Sequence, residues 1–322
     1  MFENTPPSSS DARPLVLIIK GFCMGTADVI PGVSGGTIAF IMGIYRELID
    51  AIKSFDRLWI WSLLSFNLKE AVTRPHFIFL IPLFFGIMIA LLFFTRIVPL
   101  PVLLTQYPEQ VYGLFFGLIA GSCIIMIKGM SDMIMKDFII IILGVIPGLI
   151  IFNLGTITLP DTAFYVFISG CIAISAMLLP GISGSFILLI LNKYAFIFNA
   201  IGYFNFSVIL PFAAGMLTGL VVFSRILSWL LHQYLRNTTL VIIGILVSSF
   251  WVIWPYQDRV FETINDKQRL VSSTPVLPGE INAGVFISIS LVICGIVLVM
   301  FIDWLGKRKY SVESRTNNDR QD

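Results

Sequence analysis

The chain interrupts two of its own apolar segments in the same way. Pro31-Gly32-Val33-Ser34-Gly35-Gly36-Thr37 returns as Pro180-Gly181-Ile182-Ser183-Gly184-Ser185. Tyr45-Arg46-Glu47-Leu48-Ile49-Asp50-Ala51-Ile52 returns as Tyr194-Ala195-Phe196-Ile197-Phe198-Asn199-Ala200-Ile201. Both pairs share one offset of 149 residues (180 − 31 and 194 − 45), so the sequence reads as a duplication. Each break falls in a stretch too apolar for a surface loop, and interrupted segments at matching places in two halves point to a transporter's binding site.

Composition sets the class around these breaks. The residues are 57% hydrophobic and 12% charged, where a soluble domain carries about 25% charged residues, so the chain is a polytopic membrane protein. The net charge of +2 is spread between apolar spans and gives no footing for nucleic acid. Cys23, Cys123, Cys171 and Cys294 all lie in apolar stretches without CxxC spacing and read as packing thiols. The polar start, residues 1–14, lacks a basic region and a cleavage site and is expected to be a disordered cytoplasmic tail.

A crossing helix needs about 20 mostly apolar residues. Six segments qualify: 77–98, 109–127, 138–154, 207–231, 238–256 and 283–305. The broken segments 15–52 and 163–201 read as re-entrant hairpins. A straight helix starting at Gly35 in mid-membrane would rise about 16 Å by Arg46, bringing Arg46 and Glu47 to the headgroups. Asn192, Lys193 and Tyr194 stand in the matching place.

One hairpin and three crossings per half place the second half upside down relative to the first. The expected fold is thus an all-α polytopic membrane protein of two inverted-topology repeats, each a re-entrant helical hairpin plus three transmembrane helices. The first repeat covers 15–155, with an interfacial segment at 53–76, the second covers 163–306, and 307–322 forms a basic cytoplasmic tail. Arg96 and Arg225 match at an offset of 129 (225 − 96), so the first copy carries twenty extra residues (149 − 129). Those fall around 53–76, where Lys53, Arg57, Lys69 and Arg74 surround Trp59, Trp61 and Phe66, the pattern of a segment lying on an anionic leaflet. With this topology fourteen Lys and Arg side chains outside the spans fall on the face that holds both termini, against Arg259, Lys267 and Arg269 on the other. The positive-inside rule makes both termini cytoplasmic.

The second arm of each hairpin starts with amides that lack an intrahelical partner and with the positive end of a peptide dipole, a setting that attracts anions. Ser34, Gly35, Gly36 and Thr37 in one copy, and Ser183, Gly184 and Ser185 in the other, are the candidate substrate-binding residues, suited to phosphate or a similar oxyanion. Small residues that only permit tight helix packing are the competing reading. Arg96 and Arg225 are candidates for phosphate pairing, or else snorkel to the interface. Asp28 has Met177 in its place in the second copy. Two readings of Asp28 stand, proton or cation coupling and capping of the hairpin turn.

Gly21-Phe22-Cys23-Met24-Gly25-Thr26-Ala27-Asp28-Val29-Ile30-Pro31-Gly32-Val33-Ser34-Gly35-Gly36-Thr37, then Gly43-Ile44-Tyr45, and Leu179-Pro180-Gly181-Ile182-Ser183-Gly184-Ser185 resemble the paired signatures of the polyprenyl-phosphate transporter family. The resemblance runs from about residue 15 to 305. It implies a bacterial inner-membrane protein that returns undecaprenyl phosphate from the outer to the cytoplasmic leaflet for envelope polymers such as peptidoglycan. The substrate partner would be a polyprenyl-phosphate lipid among membrane lipids, with no bound cofactor beyond a coupling proton or cation. One departure from symmetry is Ser185-Phe186 where the first copy has Gly36-Thr37.

Other classes fit less well. A small-anion channel or exchanger would use the same dipole geometry for chloride or free phosphate. An intramembrane serine hydrolase is suggested by Gly32-Val33-Ser34-Gly35-Gly36, but His76 and His232 both lie away from a mid-membrane Ser34. No HExxH zinc motif occurs, and no grouped acid and base support a lipid phosphatase. The chain is therefore expected not to be an enzyme. The sequence leaves a homo-oligomer open.

Overall fold

The computed structural model describes residues 14–29, 33–98, 103, 106–130, 132–154, 157–264, 267–279 and 282–318. The expected N-terminal tail up to residue 13, Pro31 and Gly32 of the first motif, and residues 319–322 lie outside the described residues.

Helix α1 (Pro14–Asp28) leads into the first break, followed by α2 (Gly35–Ile41) and α3 (Tyr45–Lys53). Then come α4 (Arg57–Leu64), α5 (Leu68–Thr73) and three long helices, α6 (Phe77–Arg96), α7 (Pro108–Lys128) and α8 (Met135–Asn153). The second half runs α9 (Ala163–Leu178), α10 (Gly184–Ile190), α11 (Tyr194–Gly202), α12 (Phe206–Gln233), α13 (Leu235–Ile253), a β-hairpin and α14 (Ala283–Asn318). Helices α6, α7, α8, α12, α13 and α14 are long and apolar enough to cross a membrane, matching the six segments expected from sequence.

Lipid tails are as apolar as leucine, so helices in a bilayer associate by close backbone packing rather than by hydrophobic burial. Glycines supply that closeness. A Cβ on Gly86 of α6 would meet the Ile18 carbonyl oxygen of α1 at 2.0 Å, and one on Gly215 of α12 would meet the Phe167 oxygen of α9 at 2.0 Å. Gly86 and Gly215 differ by 129 residues, so the same crossing is built twice. Further on, Gly117 brings α7 against Val292 of α14, and Gly144 and Gly244 bring α8 and α13 together. Helices α7 and α13 form the centre, 50% and 56% buried, whereas the other four spans are 11–22% buried.

The arm after each break is not the straight helix expected from sequence. Helix α2 stops at Ile41, where the Ile44 amide bonds to the Ala39 oxygen and the Gly43 amide to the Phe40 oxygen. Gly43 is left-handed, φ 72°. This is a Schellman ending, which needs a residue tolerant of positive φ. The second copy repeats it bond for bond at an offset of 149, with Lys193 bonded to Leu188, Asn192 to Leu189, and Asn192 at φ 50°. Helix α11 then leaves α10 at 110°. Arg46 therefore stands on a separate helix and does not reach its place by a continuous rise.

Two polar contacts locate these elbows. Lys53 of α3 donates to Ser228 of α12 at 3.1 Å. Lys193 binds the Leu159 oxygen at 2.6 Å and the Asp161 carboxylate, just past α8. Since Arg236, three residues after α12, pairs with Asp137 at the start of α8 at 2.7 Å, the two elbows lie at opposite ends of α8.

The extra residues of the first copy fold into α4 and α5, joined by the Trp59 indole N–H to the Ala71 oxygen at 3.0 Å and by a bidentate pair of Arg74 with Asp56. The Arg74 hydrogen bonds hold the Asp56 carboxyl below the usual carboxylate range. Trp61, Leu64 and Phe66 stay exposed.

Between α13 and α14 the chain forms an antiparallel hairpin, β1 (Gln257–Ile264) paired with β2 (Lys267–Pro275). The Trp254 indole N–H, donating to the Val276 oxygen, ties it to α13. This is the one departure from an all-α chain among the described residues.

Leucine at Gly86 or Gly215 would force two backbones apart. Either variant is expected to lower the thermal unfolding midpoint of the purified protein in detergent sharply. Gly202→Ala, where an added Cβ meets nothing within 4 Å, should leave that midpoint within experimental error.

Candidate functional site

The first motif builds a helix start that is already occupied. Ser34, with extended backbone, caps α2, and its Oγ accepts the Gly36 amide at 3.2 Å. Asp28 Oδ1 accepts the Gly35 amide at 2.7 Å. A Cβ on Gly35 would lie 2.5 Å from Asp28 Oδ2, so only glycine lets the carboxylate come this close. The Thr37 amide bonds to the Ser34 oxygen at 2.9 Å. Of the two sequence readings of Asp28, this geometry supplies the cap.

The second motif has the same backbone course and a different charge. Ser183 is extended and stands before α10, but its hydroxyl bonds to that of Ser185 at 2.8 Å rather than to a helix amide. Met177 replaces the carboxylate. The amides of Gly184, Ser185 and Phe186 have no hydrogen-bond partner among the described residues. Orphan donors at a helix start favour an anion, and here the protein provides none of its own.

The two motifs meet. The Gly181 amide donates to Thr37 Oγ1 at 2.8 Å, the Tyr45 hydroxyl donates to the Leu178 oxygen at 2.6 Å, and Ser34 Oγ lies 3.5 Å from the Met177 oxygen. Ser34 and Thr37 are 2% and 0% exposed, so these bonds sit in the protein interior. Gly181, left-handed at φ 93°, packs against Ile245 of the central helix α13.

Ser34, Gly35, Gly36 and Thr37 thus lie against the segment leading into Ser183, Gly184 and Ser185. Arg96 and Arg225 do not join them. Both are exposed, Arg96 at the end of α6 and Arg225 two turns before the end of α12, and neither hydrogen-bonds to a described motif residue. Neither histidine approaches Ser34, whose hydroxyl faces Gly36 and Met177. Among the described residues no group of His, Cys, Asp and Glu could hold a metal ion.

Two contributors escaped the sequence reading. Tyr45 stands in the repeated stretch, and its recurrence as Tyr194 was a usable signal, although its bond to Leu178 crosses between the halves. Lys193 was placed at the interface, but it is 1% exposed and anchored beside Leu159. No signal in one sequence separates it from other span-end lysines.

A duplicated pair of broken helices, interlocked inside a bundle with six candidate spans, defines a multi-pass membrane protein of the transporter type. Residues 24–271 match the family model described as VCA0040-like, undecaprenyl phosphate translocase-like, and the chain belongs to that family. The chain is similar to a polyprenyl-phosphate transporter of Vibrio cholerae serotype O1, 37% identical over 79% of this chain and 82% of that protein. It is also similar to a polyprenyl-phosphate transporter of Staphylococcus aureus, 34% identical over 74% of this chain and 85% of that protein. No solved structure matches the chain. A family named for translocation, with relatives named as transporters, places the chain outside the enzymes.

Thr37→Val would leave the Gly181 amide buried without an acceptor, a loss of about 1–3 kcal/mol. Equilibrium unfolding should show that loss, with Thr37→Ser restoring most of the stability. Tyr45→Phe should destabilise in the same sense, by removing the donor to the Leu178 oxygen.

Proposed function

We propose that the protein is an undecaprenyl-phosphate flippase. It would return the carrier lipid from the outer to the cytoplasmic leaflet, where cell-envelope polymers such as peptidoglycan are begun. The observation that carries this reading is the bond between Thr37 and Gly181, which joins the two motifs in the interior of a chain whose family and relatives are named for this cargo. A phosphate headgroup would enter at Ser34 to Thr37 and Ser183 to Ser185 while the prenyl tail stays in lipid.

The two helix starts take unequal parts. The uncommitted amides of Gly184 and Ser185, with the Ser183 and Ser185 hydroxyls, are the stronger phosphate donors. The first start already holds an anion, Asp28. A carboxylate at membrane depth costs about 2.5–3.5 kcal/mol on insertion scales, and a phosphate beside it adds like-charge repulsion. Uptake of a proton or cation at Asp28 relieves both, which couples headgroup binding to the ion. Arg96 and Arg225 then recruit headgroups at the two faces.

Inverted repeats support the alternating use of one site from two leaflets. The elbow bonds recur at a fixed offset, and the elbows sit at opposite ends of α8, as an inverted pair of repeats requires. The charge count in the sequence supports both termini lying in the cytoplasm, as expected of a bacterial inner-membrane protein.

Proteoliposomes with fluorescent undecaprenyl phosphate test the reading. The wild-type protein is expected to move the lipid between leaflets, and Ser183→Ala with Ser185→Ala to slow it about tenfold, the loss of about 1.4 kcal/mol of headgroup binding. Arg96→Gln or Arg225→Gln should raise the lipid concentration needed for half-maximal flux. Asp28→Asn should flatten the response of flux to pH. Uptake of chloride or free phosphate with no lipid movement would replace this reading with a small-anion channel or exchanger.

A further inference from the structure

The polar contact between the first elbow and α12 holds more donors than a tether requires. Ser228, 0% exposed, donates to Asp50 Oδ1 at 2.7 Å and accepts from Lys53 Nζ at 3.1 Å. His232 Nδ1 lies 2.8 Å from the Ser228 carbonyl oxygen, a distance that suits a protonated nitrogen, and its Nε2 is 3.6 Å from Asp50 Oδ2. Arg225 lies three residues before Ser228 and seven before His232, positions that share one helix face. Its charge acts on Asp56 nearby, a carboxylate already bound by Arg74. A hydroxyl, an ammonium and an imidazole thus gather about the Asp50 carboxylate, with the Arg225 guanidinium further along α12. By contrast, Arg236 with Asp137 and Lys193 with Asp161 each set one cation against one carboxylate.

This set exists at one end of the bundle only. At the corresponding positions of the other copy Asn199 replaces Asp50 and Gly202 replaces Lys53, at an offset of 149, while Pro99 and Leu103 stand for Ser228 and His232, at an offset of 129. The backbone of the elbow is duplicated, and its chemistry is not. Asp50 bonds to Ser228 directly rather than through His232, so the trio lacks the order of a hydrolytic triad.

We propose that Lys53, Ser228 and His232 form a second binding site for the phosphate headgroup of a prenyl phosphate, with Asp50 occupying it as an internal anion when the lipid is absent. The assignment rests on the transport reading above and adds where the headgroup is received after leaving the interlocked motifs. A phosphomonoester carries more charge and more acceptor oxygens than one carboxylate, so it competes for the same donors. Asp50 and His232 are 29% and 41% exposed, which leaves the group open to an arriving headgroup. With the orientation proposed above this end is cytoplasmic. The lipid then has a receiving site in one leaflet that the matching positions of the other copy do not repeat.

The competing role is a plain clasp between α3 and α12, and the sign of the effect at Asp50 separates the two. Full-length protein in phosphatidylcholine nanodiscs is titrated with a short-chain prenyl phosphate, with the matching prenyl alcohol and inorganic phosphate as parallel titrants. The same titrations in a Ser183→Ala, Ser185→Ala background isolate the second site. Lys53→Met and His232→Gln should each weaken prenyl-phosphate binding about tenfold, the loss of one charge-assisted contact. Asp50→Asn should tighten it severalfold by removing the competitor. Weaker binding in Asp50→Asn, or unchanged affinity in Lys53→Met and His232→Gln, overturns the site, and the latter pair decides alone if Asp50→Asn does not fold. Inorganic phosphate bound as tightly as the prenyl ester overturns the link to a lipid headgroup. Wild-type protein that binds no prenyl phosphate overturns the transport reading itself, whereas wild-type binding with indifferent variants overturns only this site.

Discussion

One hydrogen bond, from the Gly181 amide to the Thr37 hydroxyl, holds together what the sequence interrupts. Inside a bilayer an unpaired backbone group costs several kcal/mol, so chain at that depth must be helical, closed into a barrel, or satisfied by other parts of the protein. Each half of this chain stops its helix in an apolar segment and so creates the problem. Side chains of the first half answer for the second. Thr37 accepts the Gly181 amide and Tyr45 donates to the Leu178 carbonyl. Burial of Thr37 follows from bringing these two breaks together.

Backbone geometry and chemistry have diverged at different rates in the two copies. The Schellman endings at Gly43 and Asn192 preserve the same bonds, because few residues accept a positive φ and both glycine and asparagine do. Side chains around that frame differ in charge. Asp28 faces a helix start where the other copy has Met177, and Lys193 is buried where the first copy has Ile44. The two copies share a backbone scaffold and differ in the charge set on it.

The fold was legible in the sequence wherever hydrophobic length carried it. All six long helices lie where the apolar runs place them, since a span needs little more than length and the absence of charge. The breaks were legible because Pro-Gly and Gly-Gly cannot be ignored by a helix. The bend after each break was not, because Gly43 and Asn192 look like ordinary residues until the amides of Ile44 and Lys193 choose their acceptors. The β-hairpin at 257–275 was missed for a different reason: its strands are rich in charged and polar residues, and they lack the clean alternation that marks a half-buried sheet. At the site, the motif residues were found by repetition, whereas the bonds from Tyr45 and Lys193 join positions 133 and 34 residues away, which no local pattern encodes.

Lys193 also binds the connector between the two halves of the chain. Its ammonium grips the Leu159 oxygen and Asp161, and the Ile157 amide bonds to the Ile190 oxygen at the end of α10. The stretch joining the repeats is therefore riveted to the very elbow whose partner must shift if the halves rock against each other. Any rocking of one half against the other would have to carry that strap along with the second elbow.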